Sequence, residues 1–394
     1  MQTELVQFIR ETIRKKGPQS FVWFMEQALY HREHGYYSSG RAAIGRRGDY
    51  FTNVSVGPLF GQLLAAQFAE MWERLGKIDN FVIVEQGAHH GDLAHDVLDA
   101  TRTRFPEFFS ALRYRIVEPF PVLQDRQSQT LSDFGDRVQW RGSLDELEPF
   151  VGLHFSNELI DAFPAHLLVS SEKGWREKFV ALNRDKFVFV DQPIVDPTLQ
   201  TLAQKLPSRS AGYETEVNLA ALDWIDQISM KLERGYVLVI DYGFPRDEFF
   251  AEYRAAGTLQ IRAQHRHLAS PFEEIGRADL TAHVDWTSVA DHAQESGLSI
   301  VGFTDQHHFI TGIISEFGRS GSPEPPANAS PARTDWGQSP LPFDSKSKRA
   351  LQTLLHPEML GRIFQVLVLG KHVDPAGRLV GFKFAGDAGA ALGL

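Results

Sequence analysis

An α/β fold built on a parallel, doubly wound sheet is what this sequence predicts, and three observations carry the prediction. Residues 81–98, FVIVEQGAHHGDLAHDVL, read as an apolar strand running into Glu85, a turn holding Gly87 and Gly91, and an amphipathic helix. This is the opening βα unit of a nucleotide-binding type of fold. Glycine lets the backbone approach a ligand, and a helix N-terminus offers free N–H groups. A second apolar run, Leu112–Val117, ends in Glu118, 27 residues past Gly91. An acid at the tip of the second strand is placed to accept two ribose hydroxyls. Third, short apolar runs keep alternating with helical periodicity along the chain, the pattern of a parallel sheet.

The elements follow in order. Met1–Lys16 carries Leu5, Phe8, Ile9 and Ile13 on one helical face. Gly17-Pro18 separates it from a second helix, Phe21–Tyr30. Residues 38–49 are Gly/Arg-rich and are expected to form a loop, mobile over Arg41–Arg47; Gly48–Gly61 then opens a helix running to Leu75. Residues 1–75 thus read as a helical N-terminal region and 76–394 as the core. Strands are expected at Phe81–Glu85, Leu112–Val117, Arg137–Trp140 and Leu153–Ser156. Residues 165–193 hold three β-rich runs joined by Glu-Lys-Gly and Asn-Arg-Asp turns, an antiparallel insertion. A helix over Glu214–Glu233 leads to a central strand, Tyr236–Ile240, ending at Asp241; a helix at 285–296 and a strand at Leu298–Phe303 follow. Residues 317–346 are rich in Gly, Ser and Pro and are expected to be a mobile loop. Ser345–Leu355 returns as a helix. Arg362–Leu369 and Leu379–Phe384 suit an antiparallel pair of strands at a sheet edge.

Composition excludes several classes of function. A net charge of −10 with no sustained basic stripe argues against a nucleic-acid partner. The absence of cysteine removes disulfides, zinc–thiolate sites and thiol nucleophiles, and fits a reducing compartment. No secretory leader pattern is visible, and no apolar run reaches the roughly 18 residues of a membrane span. A soluble cytoplasmic protein is the expectation. His89, His90 and His95, and the looser group His265, His267 and His283, lack a metal-ligand spacing, so no metal is expected.

Four loops follow the carboxyl ends of the expected parallel strands: Gly87–Gly91, Glu118-Pro119, Ser156–Asp161 and Asp241–Gly243. Ligands bind at that edge of an open α/β sheet. The segment SNELIDAFP, 156–164, is the richest, with Asn157, Glu158 and Asp161 just past a buried strand. Carboxylates there can hold a cationic substrate and accept a proton. The same residues could instead cap a helix, with Ser156 or Asn157 as N-cap and the acids complementing its dipole. No serine nucleophile elbow and no HExxH helix is present.

Taken together, these blocks resemble the MidA-like S-adenosylmethionine-dependent methyltransferases, a family that includes the mitochondrial complex I assembly arginine methyltransferase. The resemblance covers nearly the whole chain. It runs from FMEQALYHREHGYY (24–37) and GDYFTNVSVGPLFGQLL (48–64) through the glycine turn, SNELIDAFPAH (156–166) and VLVIDYG (237–243). It continues in GTLQIRAQHRH (257–267) and ADLTAHVDW (278–286) and ends in HPEMLGRIFQVLVLGK (356–371). It implies a class I methyltransferase fold, a Rossmann-like seven-stranded sheet with helical insertions, and S-adenosyl-L-methionine as cofactor. Gly87, Ala88, His89 and Gly91 would line its methionine end, Glu118 would take the ribose, and Thr52 with Asn157 would help close the site. Asn157, Glu158 and Asp161 would face the methyl acceptor, with Glu158 the first choice to pair a guanidinium and Asp161 the second. The implied acceptor is a protein arginine, on a subunit of respiratory-complex type.

Two departures from the family pattern stand out. His89 occupies the middle glycine of the turn, and Asn53-Val54-Ser55-Val56 replaces a segment that usually carries Pro-Glu. They motivate an alternative of a different class, a cofactor-binding assembly chaperone without catalysis. A nicotinamide-dependent dehydrogenase is disfavoured, because the turn lacks the full G-x-G-x-x-G spacing.

Overall fold

Strand order decides the architecture. A computed structural model describes residues 3–40, 53–264, 266–317, 345–374 and 377–394. Its main sheet has seven strands along its path: β1 Phe81–Gln86, β2 Leu112–Val117, β3 Val138–Arg141, β4 Phe150–Asn157, β5 Leu232–Phe244, β6 Ser299–Asp305 and β7 Phe364–Lys371. Across the sheet they run β3-β2-β1-β4-β5-β7-β6. β1 pairs in parallel with β2 and β4, β2 with β3, and β4 with β5; β7 is antiparallel to β5 and to β6. The order reverses beside β1, and in open α/β sheets ligands bind at the carboxyl edge beside such a reversal.

The strands form where the sequence is apolar on both faces, as a covered parallel sheet requires. Phe81, Ile83 and Val84 in β1 and Val237 to Ile240 in β5 are all inaccessible. Close approach is enforced at the opposite edge: Gly152 of β4 has φ 151°, and a Cβ there would sit 2.1 Å from the Val82 carbonyl oxygen. Helix α1, Leu59–Arg74, packs Phe68 against Phe155 of β4, with ring centroids 5.4 Å apart. α2, Asp92–Arg104, follows the glycine turn, and α3, Pro121–Thr130, follows Glu118.

Two compact units interleave along the chain. One comprises Thr52–Glu158, Ile225–Gly243 and Ala290–Leu394 and carries the main sheet; the other comprises Met1–Phe51, Leu159–Trp224 and Phe244–Val289. In the second unit the helices Glu4–Lys16 and Phe21–Tyr30 pack on an antiparallel sheet. That sheet contains the three strands expected in 165–193, now His166–Ser171, Gly174–Asn183 and Lys186–Gln192. Leu5, Ile9 and Ile13, each four residues apart, are buried, whereas Phe8 lies off that line, 41% exposed, against Trp23 and His31.

Three expectations are corrected. The helix expected over Glu214–Glu233 begins only at Leu219, because Glu214–Val217 pairs as a strand with His166–Val169. Pairing of exposed ladder groups overrides helical propensity there. Phe364–Lys371 is an interior strand between β5 and β6, not a sheet edge, and its expected partner at Leu379–Phe384 is a short 3-10 turn, Val380–Phe382. That turn is fixed onto α1 instead: Val380 N–H donates to Glu70 and Gly381 N–H to Gln67. The loops expected to be mobile, Arg41–Arg47 and most of 317–346, lie outside the described residues, as does Thr52.

Candidate active site

The residues singled out at the strand ends belong, with one exception, to the sheet-bearing unit. The turn after β1 is tight: Gly87 and Gly91 have φ of 84° and 85°, and Gly91 N–H donates to the Ala88 carbonyl at 2.7 Å. Gly91 precedes α2 without a side-chain cap, so the first N–H groups of that helix have no capping oxygen. His89 sits at φ 48°, in the left-handed region that a glycine holds without strain. Its ring lies against that of His90, centroids 3.7 Å apart. The positive φ costs a histidine on the order of 1 kcal/mol. His89→Gly relieves that strain but gains freedom in the unfolded chain, so stability is expected to stay nearly unchanged. Calorimetry should find S-adenosylhomocysteine binding at least as tight in this variant; abolished binding would make the imidazole a ligand contact.

Glu118 is buried at the end of β2. Its Oε1 accepts the Phe120 N–H at 3.0 Å and its Oε2 accepts Nε2 of Gln127, also at 3.0 Å. Burial raises its carboxyl to about 7 against those two donors. Glu85, behind it in β1, is likewise raised to about 7 by burial, with the Tyr114 hydroxyl donating at 2.8 Å.

At the end of β4 the capping alternative fails. No α-helix follows; only a 3-10 turn, Ile160–Ala162, without a side-chain cap. Asn157 Nδ2 instead donates to Glu158 Oε1 at 3.0 Å, and Asn157 Oδ1 accepts from Asn53 Nδ2 at 3.2 Å. The Tyr242 hydroxyl donates to Glu158 Oε2 at 3.2 Å, and the Asn53 N–H donates to the same carboxylate. Glu158 also holds φ 55°, a second strained non-glycine residue at this edge. Burial first, then the nearby Asp241 charge, push its carboxyl up to about 8. The segment that departs from the family pattern therefore supplies donors where an acid was expected to be missing. Asp161 is the exception: it is buried in the other compact unit, where its carbonyl accepts the Ala282 N–H at 2.8 Å.

Sequence reasoning missed Gln127 and Trp140 as parts of this site, and named Tyr242 only as a member of the Asp241–Gly243 loop, without its bond to Glu158. A signal existed for one of them, since Gln127 lies on the buried face of α3, four residues from Leu123. Among the described residues no group of three or more His, Cys, Asp or Glu could hold a metal, and no helix is long and apolar enough to cross a membrane.

Raised acids make stability depend on pH. Glu85, Glu118 and Glu158 have folded values above their ordinary 4.5, so the stability they permit is full below that value. It is lost as pH rises through 7 to 8. Buried His154, lowered to about 3, and His283, lowered to about 4, act oppositely, but only below their ordinary 6.5. The melting temperature of the ligand-free protein is therefore expected to fall as pH rises from 6.5 to about 8.5. A rise over that window in thermal melts would contradict the buried-acid assignment.

Chemically, the edge pairs glycine-turn N–H groups with a row of carboxyls. Glu118 offers acceptors to vicinal hydroxyls, and Glu158 and Asp241 suit a positively charged ligand such as one bearing a sulfonium. The residues present thus fit S-adenosylmethionine. The sheet order and this edge define a class I methyltransferase. Comparison with known proteins agrees. The family described as "Putative S-adenosyl-L-methionine-dependent methyltransferase" matches residues 63–304, more than half of the chain. A COG1565 superfamily member from Burkholderia thailandensis, crystallised with S-adenosyl-homocysteine, is similar at 30% identity and a TM-score of 0.81, over 96% of this chain and 94% of its own. Human "Protein arginine methyltransferase NDUFAF7, mitochondrial" is 27% identical over 343 residues, 78% of this chain and 73% of that protein. The Drosophila melanogaster homolog is 27% identical over 321 residues, 74% and 70% of the two chains. The chain belongs to this family of S-adenosylmethionine-dependent methyltransferases and uses S-adenosylmethionine as its cofactor.

Proposed function

We propose that this enzyme methylates an arginine side chain on a partner protein, and that Glu158 receives the guanidinium. The single observation that carries this is the Glu158 carboxyl at the carboxyl edge of β4, oriented by three donors from Asn157, Tyr242 and Asn53. Support comes also from the relatives whose names describe protein arginine methyltransferases. The cofactor supplies an already activated methyl group, so the chain's task is alignment and charge.

A guanidinium is planar and pairs with a carboxylate through two parallel hydrogen bonds. Its arrival lowers the proton affinity of Glu158, which burial had set high, so the acid ionises as the cation binds. As the guanidino nitrogen becomes methylated it loses a proton, and a carboxylate with that buried affinity is suited to take it. In the same proposal Glu118 takes the ribose hydroxyls, Gly87, Ala88, His89 and Gly91 surround the methionine end, and Asn157 sits between cofactor and acceptor. A subunit of respiratory-complex type as substrate, and a reducing cytoplasmic setting for a cysteine-free chain, complete it. The test is labelled-methyl transfer onto proteins from a cell extract, with mass spectrometry of the labelled residue. Label on arginine supports the reading, and label on lysine or on a small molecule refutes it. Tight cofactor binding with no label on anything refutes it too.

A further inference from the structure

Gln127 breaks the pattern of its own helix. α3 buries Leu123 and, one turn on, Gln127, which is inaccessible to solvent. An amphipathic helix calls for an apolar residue at that place. The amide instead makes three hydrogen bonds. Nε2 donates to Glu118 Oε2 at 3.0 Å and to the His89 carbonyl at 2.9 Å, and Oε1 accepts from Trp140 Nε1 at 2.9 Å. An indole N–H only donates, so Trp140 decides which end of the amide is the oxygen. The NH₂ end must then face the acid and the turn, and both of its hydrogens are engaged. Trp140 lies in β3, which pairs with β2, so the amide is tied to the sheet itself. Gln124 of the same helix donates to the Glu118 backbone carbonyl at 2.6 Å.

We propose that Gln127 is the positioning residue of the cofactor site, tying the glycine turn to the ribose-binding acid and keeping that acid an acceptor. The proposal rests on the assignment of Glu118 to the ribose. A carboxylate has about four lone-pair sites. Phe120 and Gln127 use one on each oxygen, which leaves one on each for two vicinal hydroxyls. A proton on Glu118 turns one of those acceptors into a donor. Burial favours that proton, and the Gln127 and Phe120 donors oppose it. The other titratable or charged groups on the elements around Glu118 are Glu85 in β1, which burial also raises to about 7, Arg113, Tyr114 and Arg115 in β2, His89 and His90 in the turn, Asp125 and Arg126 on α3 and Arg141 in β3. Burial and Arg126 hold His90 below its usual range, so it stays neutral while Glu118 titrates.

The experiment is calorimetry of S-adenosylhomocysteine and its 2′-deoxyribose analogue on the full chain, from about pH 6 to about pH 9. Gln127→Met fills similar space without donors or acceptors. It should weaken S-adenosylhomocysteine about tenfold or more at neutral pH. Most of that loss should be recovered at the alkaline end, because removing a donor moves the protonation midpoint upward. Discrimination between ribose and deoxyribose should shrink. Trp140→Phe keeps the amide but frees it to turn over, and should show a smaller loss of the same pH form; it carries the test if Gln127→Met does not fold. Wild-type binding in both variants would overturn the proposal. So would a loss equal at every pH and for both ligands, which is what a merely structural role gives. Glu118→Gln separates the two layers. If it binds as wild type does, the ribose assignment falls and the proposal with it. If it loses binding while Gln127→Met does not, only the positioning role falls.

Discussion

Glu158→Gln is expected to reduce methyl transfer to arginine about a hundredfold or more, while S-adenosylhomocysteine still binds. The replacement keeps the length and planarity of the side chain; its amide oxygen accepts from Asn157, and its NH₂ donates to the Tyr242 hydroxyl, which turns from donor to acceptor. What it removes is the negative charge that a guanidinium requires. The fold should tolerate it, because burial makes ionisation of this carboxyl unfavourable and the amide has none to suffer. The melting temperature is therefore expected to hold at neutral pH and to exceed that of the wild type at alkaline pH. Turnover on an arginine peptide, measured beside calorimetry with S-adenosylhomocysteine, separates the outcomes. Undiminished turnover would remove Glu158 from the reaction, and a parallel loss of cofactor affinity would move it to the cofactor.

Glu118→Ala is expected to weaken S-adenosylhomocysteine by about 1–3 kcal/mol, the cost of losing hydrogen bonds to a charged group. Part of that cost is indirect, since the truncation also leaves the Gln127 amide and the Phe120 N–H without their acceptor. The alanine variant should lose the alkaline gain in affinity that an ionising Glu118 gives the wild type. An absence of binding heat in the wild type at high ligand concentration would falsify the placement of the cofactor on this edge.

The strand–turn–helix unit was legible because it is local. Apolar runs, Gly87 and Gly91 lie within one stretch of chain, and the conformations they favour need no distant partner. That Glu118, Glu158 and Asp241 lie at one edge of the sheet was legible one step further on, because parallel strands place all their carboxyl ends there. Where distant pairing decides, the local signal misled. The stretch from Glu214 reads as helix until a strand 48 residues earlier, beginning at His166, takes its backbone groups. Asn157 looks like a cap until Asn53, 104 residues away, and Glu158 claim its amide.

By itself the sequence determined the α/β class, most of the strand positions and the acids at their ends, because periodicity, glycine and strand polarity act over a few residues. Only the tertiary structure decided what state those acids are in and what holds them. Gln127 reaching Glu118, and Tyr242 reaching Glu158 across 84 residues of chain, leave no mark on either local stretch. Burial raises Glu118 to about 7 and Glu158 to about 8, and burial is a property of the packed whole. A carboxyl's proton affinity depends on how much water the other elements exclude and which donors they bring, and neither exists until the chain has closed around it.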